Sequence, residues 1–398
     1  MRFAMHHLLL LAILAVGSAA STGSAAAVRT VSLTLKHQGT PVPFTIYLPP
    51  APEGGLPPKL SQASPKLPAF FLLQGFNVEA AQYSDILKLL AAKGYLVIAS
   101  DYFRPLPPFL SPNLFPPKKG CRSGEYLQTS VALLATLLRN ISSDPQLKDI
   151  ASNGIVLFGH SNGGAASAAA LDGQCDSPAA KSGNTSNIVQ RFCQGYVPTF
   201  APGAGVLAAT QKPQKPGSFK IFEGQRGSRV LGAVLFEGHL SGGPTSTNNN
   251  YSSIQPLGVN LPKGTFLTYL AGEYNNNTLK GYEATAPLSP TGCASFARFA
   301  VTNHFGLNNW QPGGGQVTLC ARAAMSDPTE LRVSKDVQGR ALTAMASLID
   351  DTVRSNVLGD AAATSRLRNT KAAAGHEGGA SGGAIIDVRF SKACPAAK

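Results

Sequence analysis

The sequence predicts an α/β fold, a mostly parallel central sheet with helices on both faces, from three observations. Short apolar runs alternate with helical stretches from Val28 to about Asp360, the pattern of strands in one sheet joined by covering helices. Several of those runs are apolar at consecutive positions, as strands buried on both faces are. One of them, Ile155-Val156-Leu157-Phe158, passes through a glycine-bracketed serine directly into a small-residue stretch, a strand, sharp turn and helix in succession.

In chain order, Val31 to Leu35 and Phe44 to Leu48 alternate apolar and polar residues and form an antiparallel edge. The further strands are Ala69 to Gln74, Tyr95 to Ser100, Gly154 to Gly159, Val230 to Phe236, Thr265 to Ala271 and Ala297 to Val301. Glu79 to Lys93 carries an apolar stripe of Ile86, Leu87, Leu89 and Leu90 and stops at Gly94, which marks a helix. Ser123 to Asn140 and Val337 to Leu358 read the same way. Pro49 to Pro68 and Pro105 to Pro117 are too rich in proline to continue a helix or a central strand and are surface loops. Asp172 to Arg229 is too long for a simple connection and forms an insertion after the helix that follows the serine. Ala361 to Gly383, rich in Ala and Gly, reads as a flexible linker, followed by a strand from Ile385 to Phe390 that, with Cys394, ties back to the body. The expected organisation is therefore a leader over 1–27, one domain over 28–360 with its insertion at 172–229, and a linker and tail over 361–398.

A chain of 398 residues with 43% hydrophobic and 14% charged residues is neither disordered nor a disulfide miniprotein. Leu8 to Val16 is apolar but far shorter than the roughly 20 residues a bilayer span needs. Arg2 before it and small residues after it give it the layout of a secretory signal peptide rather than of a Ser- and Arg-rich plastid transit peptide, which is the alternative. No transmembrane anchor follows. The six cysteines contain no Cys-x-x-Cys pair and read as disulfides formed in an oxidising compartment. Cys293 with Cys320, which bracket His304, and Cys175 with Cys193, inside the insertion, are the pairings singled out. Sequons at Asn140, Asn184, Asn250 and Asn276 agree with export and glycosylation. The net charge of +13 is scattered, with no basic run longer than Lys118-Lys119 and no nucleic-acid module, so it reads as a solvated surface and not as a nucleic-acid site.

Gly159-His160-Ser161-Asn162-Gly163 has the form of a nucleophile elbow. Its serine adopts a strained backbone at the apex so that the hydroxyl stands above the sheet, and the two glycines let strand and helix approach closely. Gly379-Ala380-Ser381-Gly382-Gly383 matches the same five-residue pattern but lacks a preceding strand, so context selects Ser161. A serine nucleophile needs a base and a polarised site for the carbonyl oxygen. The backbone N–H groups of Asn162, at the start of the helix, and of Phe76, in Leu72-Leu73-Gln74-Gly75-Phe76 at the end of an earlier strand, are the candidate oxyanion donors. Gly75 is read as leaving room for the substrate.

Among the histidines, His304 arrives last, after the strand-like Phe299 to Asn303, where this arrangement requires its base. His239 is the runner-up, and His37, His160 and His376 are structural or solvated. Two carboxylates, Glu237 and Glu273, end strands and either can orient His304; Asp101 ranks third because it precedes the serine. No cluster has metal-ligand spacing, so no metal or organic cofactor is implied.

These residues resemble the chlorophyllases and their dienelactone-hydrolase-like relatives within the α/β-hydrolase fold. The blocks that carry the resemblance are Phe70 to Phe76 with Tyr95 to Ser100, Val156 to Gly164, Gly232 to Gly238, and Thr268 to Glu273 followed by Ala297 to Gly306. Asn162 stands where that family has arginine, and Gln74-Gly75-Phe76 where it has His-Gly-Tyr. The family's acid is an aspartate in the block similar to Ala233 to Glu237, so the resemblance favours Glu237 over Glu273. It implies a serine carboxylic-ester hydrolase working through an acyl-enzyme with Ser161, His304 and Glu237 on a small-molecule or lipid-like ester. The alternatives are a polyester or cutin hydrolase, an acyl-lipid esterase, and a catalytically inactive surface binding module on the same fold; oligomeric state stays open.

Overall fold

Ala69–Leu73 offers no polar side chain to solvent, and the computed structural model places it at the heart of a nine-stranded sheet. The structure describes residues 28–37, 40–50, 67–75, 78–105, 125–127, 131–143, 153–172, 230–242, 255–310, 333–374 and 384–397. The leader, nearly all of the expected insertion, Cys121, Cys175, Cys193, Cys320, Phe76, Ser381 and the sequons at Asn184 and Asn250 lie outside these residues.

The first half of the chain runs β1 (Arg29–His37), β2 (Thr40–Leu48), β3 (Ala69–Leu73), α1 (Ser84–Ala92), β4 (Leu96–Ser100), β5 (Phe103–Pro105), β6 (Glu125–Leu127), α2 (Val131–Ser143), β7 (Ile155–His160) and α3 (Asn162–Leu171). It continues with β8 (Val230–Phe236), β9 (Leu240–Gly242), β10 (Gln255–Leu257), β11 (Phe266–Ala271), α4 (Asn276–Leu288), β12 (Cys293–Phe299), α5 (Lys335–Val353), α6 (Ala361–Ala373) and β13 (Ile385–Phe390). The large sheet is ordered β1-β2-β4-β3-β7-β8-β11-β12-β13. The six strands from β4 to β12 are parallel, and β1, β2 and β13 add antiparallel edges. β5 with β6 and β9 with β10 form small separate pairs.

Alternation along each parallel strand divides the core into two layers. Phe71, Leu157 and Leu235 face the layer completed by α2 and α3, whereas Phe70, Phe158 and Phe236 face the one completed by α1 and α5. The chain crosses from β3 to β4 in one direction and then returns past β3 to reach β7. The topological switch point therefore lies beyond the carboxyl ends of β3 and β7, the place where such sheets bind ligands. Gly75 and Ser161 follow those two strand ends.

Four expectations are corrected. The helix read from Ser123 does not start there: Glu125–Leu127 is the strand β6, paired with β5, and α2 begins only at Val131. The segment read as Ala297 to Val301 is a longer strand that begins at Cys293; Val301 has left it, with φ of 50° and an exposed side chain. The expected linker starts with α6, because alanine is the strongest helix former, Asp360 accepts from the N–H groups of Ala362 and Ala363, and Ala363 and Leu367 are buried. Cys293 pairs with Cys394 and not with Cys320, because β13 lies antiparallel to β12 and returns the tail to the start of that strand. The cross-link spans 101 residues, so Cys394→Ala is expected to lower stability by roughly 2–4 kcal/mol, read as a shift of the urea midpoint. The sequon at Asn276 is built into α4: its Oδ1 accepts from Arg298 and Thr278 is buried.

Among the described residues, no helix is long and apolar enough to cross a membrane.

Candidate active site

Ser161 occupies the turn between β7 and α3 with φ of 51°, a value that costs a non-glycine residue strain. Its backbone N–H donates to the Phe236 carbonyl (3.0 Å) and its own carbonyl accepts from Ala165 (3.1 Å), so the strained conformation is held from both sides. The turn is as tight as the sequence expects. A Cβ on Gly163 would lie 1.9 Å from the carbonyl oxygen of Leu73, which no larger residue can accept. The Ser161 side chain does not cap α3. The N–H of Asn162, in the first turn of that helix, has no intrahelical partner, and the helix dipole makes this end positive. The Asn162 Oδ1 is buried with no hydrogen-bond partner among the described residues.

Glu237, directly after β8, also has a left-handed backbone, φ of 50°. Its side chain is almost fully buried, and both oxygens are engaged. Oε1 accepts from the Gly272 N–H (2.7 Å), and Oε2 accepts from Asn275 Nδ2 (2.7 Å) and from His304 Nδ1 (2.9 Å). A carboxylate only accepts, so the proton of the neutral His304 ring sits on Nδ1 and Nε2 is left as the basic nitrogen. Of the two glutamates left open by spacing, the structure brings Glu237 to His304. Glu273 turns the other way: its Oε2 accepts from the Val301 N–H (2.8 Å) and supports the left-handed turn that precedes His304. Asp101 Oδ1 accepts from the Ala80 N–H (2.8 Å) and from Gln74 Nε2 (3.3 Å).

His304 rides on a loop folded on itself. Asn303 Oδ1 accepts from the Phe305 N–H, and the Asn303 and Phe305 carbonyls accept from Gly306 and Asn308. Asn309 then pins the loop to the start of α1 through the Asp85 N–H, the Ser84 hydroxyl and the Ala81 carbonyl. Asn275 is the residue sequence reading missed. It is the N-cap of α4, accepting from the Thr278 N–H with Oδ1 (3.1 Å) while its amide nitrogen holds Glu237. The signal was present, since an Asn three residues before Thr278 at a helix start is a capping pattern.

His239 is close enough to Glu237 and His304 to feel their charge, but its Nδ1 has no hydrogen-bond partner among the described residues. Burial pushes it down to about 4, with Glu237 pulling upward and His304 adding to the fall. Unfolded, this imidazole takes its proton near pH 6.5; folded, it stays neutral to about pH 4. The stability carried by the neutral form is therefore complete above pH 6.5 and is lost as pH falls through about 4. Unfolding free energies from urea titrations should fall between pH 6.5 and about 4 by roughly 3 kcal/mol more for the wild type than for His239→Gln.

Among the described residues, no group of three His, Cys, Asp or Glu side chains is arranged to hold a metal ion. No family model and no curated protein matches the chain in sequence. Solved structures similar to it include a dienelactone hydrolase from Anabaena variabilis ATCC 29413, at 10% identity and TM-score 0.38 over 81% of this chain and 96% of the other. A ferulic acid esterase from Streptomyces cinnamoneus has 13% identity and TM-score 0.46 over 94% and 98%. A Pyrobaculum calidifontis esterase has 16% identity and TM-score 0.40 over 81% and 84%. The chain's own strand order, with two antiparallel strands before a parallel core, a strained serine between β7 and α3, and a histidine beyond β12, is that of the α/β-hydrolase fold.

Proposed function

We propose that the chain is a secreted serine carboxylic-ester hydrolase, chlorophyllase-like in its resemblance, that works through an acyl-enzyme. The observation that carries this reading is the 2.9 Å bond from His304 Nδ1 to a buried, otherwise saturated Glu237, which selects the ring tautomer a serine needs from its base. In the reaction, the Ser161 hydroxyl attacks the ester carbonyl carbon while His304 Nε2 takes its proton. Glu237 stabilises the imidazolium that results. The N–H groups of Asn162 and Phe76 hold the oxyanion of the tetrahedral intermediate. His304 then protonates the departing alcohol, leaving acyl-Ser161. His304 Nε2 then takes a proton from water, whose oxygen attacks the acyl carbon; the bond from that carbon to Ser161 Oγ breaks, the proton passes from His304 to Oγ, and the carboxylic acid is released. No metal or organic cofactor enters these steps.

Export is supported by the leader-like start of the sequence and by the disulfide between Cys293 and Cys394. The test is a fluorophosphonate probe on the purified chain, followed by a panel of esters graded in acyl length. A single adduct on Ser161 with turnover of short or lipid-like esters is the expected result, and the acyl preference separates the chlorophyllase-like, acyl-lipid and polyester readings. A chain that takes no label is an inactive binding module.

A further inference from the structure

His160, beside the nucleophile, is fully buried, and both its ring nitrogens are engaged. Its Nε2 faces the backbone carbonyl of His304 at 2.7 Å. A carbonyl only accepts, so Nε2 carries the proton and Nδ1 must accept. The group facing Nδ1 is the Tyr83 hydroxyl at 2.8 Å, which therefore donates to it and in turn accepts from the Gly75 N–H at 2.9 Å. Every proton in this row is assigned by the group at its far end. Burial, and the nearby His304, hold His160 well below the usual imidazole range, while burial pushes the Tyr83 phenol upward, so both stay neutral. Gly75, expected from the sequence to leave room for the substrate, instead leaves room for this row: a Cβ there would lie 2.7 Å from His160 Nδ1 and 3.3 Å from the Tyr83 oxygen.

The row joins three pieces that the reaction must hold in register. Gly75 precedes Phe76, His160 precedes Ser161, and the carbonyl at the other end belongs to His304 itself. We propose that Tyr83 and His160 are positioning residues, a neutral buried relay that sets the loop bearing the oxyanion donor against the loop bearing the base. This rests on the ester-hydrolase reading above. The two loops are also joined by Asn309, through Ala81, Ser84 and Asp85, so cutting the relay leaves them attached but loosens their spacing. A shift of that kind acts on the transition state more than on ground-state binding.

The experiment compares the wild type with Tyr83→Phe, His160→Phe and His160→Gln on a p-nitrophenyl ester, with kcat expressed per fluorophosphonate-titrated serine. Tyr83→Phe and His160→Phe are expected to lose roughly 10- to 100-fold in kcat with KM moved by no more than about 3-fold. His160→Gln keeps a donor for the His304 carbonyl and is expected to recover much of the loss. A merely structural role would lower the titrated fraction and the melting temperature but leave kcat per site within about 2-fold of the wild type, and that result in Tyr83→Phe overturns the relay. Should His160→Phe fail to fold, Tyr83→Phe decides alone, since it removes a single oxygen. An active wild type with an unimpaired Tyr83→Phe removes the relay only; a wild type that neither labels nor turns over removes the ester-hydrolase reading with it.

Discussion

Ser161→Ala is expected to fold as the wild type does and to lose roughly 10⁴-fold or more in kcat for a p-nitrophenyl ester. The substitution removes one oxygen from a position whose backbone is held by the Phe236 and Ala165 hydrogen bonds rather than by the side chain. Stability should therefore change little. Alanine also tolerates a φ of 51° no worse than serine, so any relief of strain is small. The measurement is initial rate per total protein determined by absorbance, with thermal melting as the control. A variant that keeps the wild-type rate would move the nucleophile elsewhere and leave the strained turn without a chemical role.

The parts of this molecule written in local sequence were legible, and the parts set by long-range turns were not. The elbow could be read because its requirements are local: an apolar strand, two glycines that allow close packing, and a small-residue helix within a few positions. The parallel strands could be read because burial on both faces leaves runs such as Phe70 to Leu73 without a polar residue. Helix α6 is hidden in the sequence because its alanines resemble low complexity, whereas the decisive feature is the capping Asp360 beside a left-handed Gly359. The Cys293 pairing was missed for another reason. It depends on β13 returning 101 residues later to lie against β12, and nothing near either cysteine records that.

Glycine 75 shows the same limit at the site. Its smallness was legible, but what fills the space was not, because Tyr83 and His160 reach it from two other elements.

The choice of acid is the second case in which spacing was insufficient, and it yields the other large expected effect. Glu237 and Glu273 each follow a buried parallel strand, and the two strands are neighbours in the sheet. What separates them is the backbone after the strand. Glu237 enters the left-handed region and turns its carboxylate inward to Gly272, Asn275 and His304, whereas Glu273 turns to the Val301 N–H. Glu237→Gln keeps the shape but places an amide against His304 Nδ1. With Gly272 and Asn275 both donating to position 237, the amide oxygen is claimed by one of them and the NH₂ group competes with the proton on Nδ1. The ring is then driven toward the tautomer with its proton on Nε2, which cannot accept from Ser161. A loss of roughly 10³- to 10⁴-fold in kcat is expected for Glu237→Gln, against less than about 10-fold for Glu273→Gln, where only the turn before His304 is weakened. Side-by-side kcat values per titrated serine provide the check. The reverse ranking would assign the acid to the end of β11 and require the His304 loop to reorganise before the reaction begins.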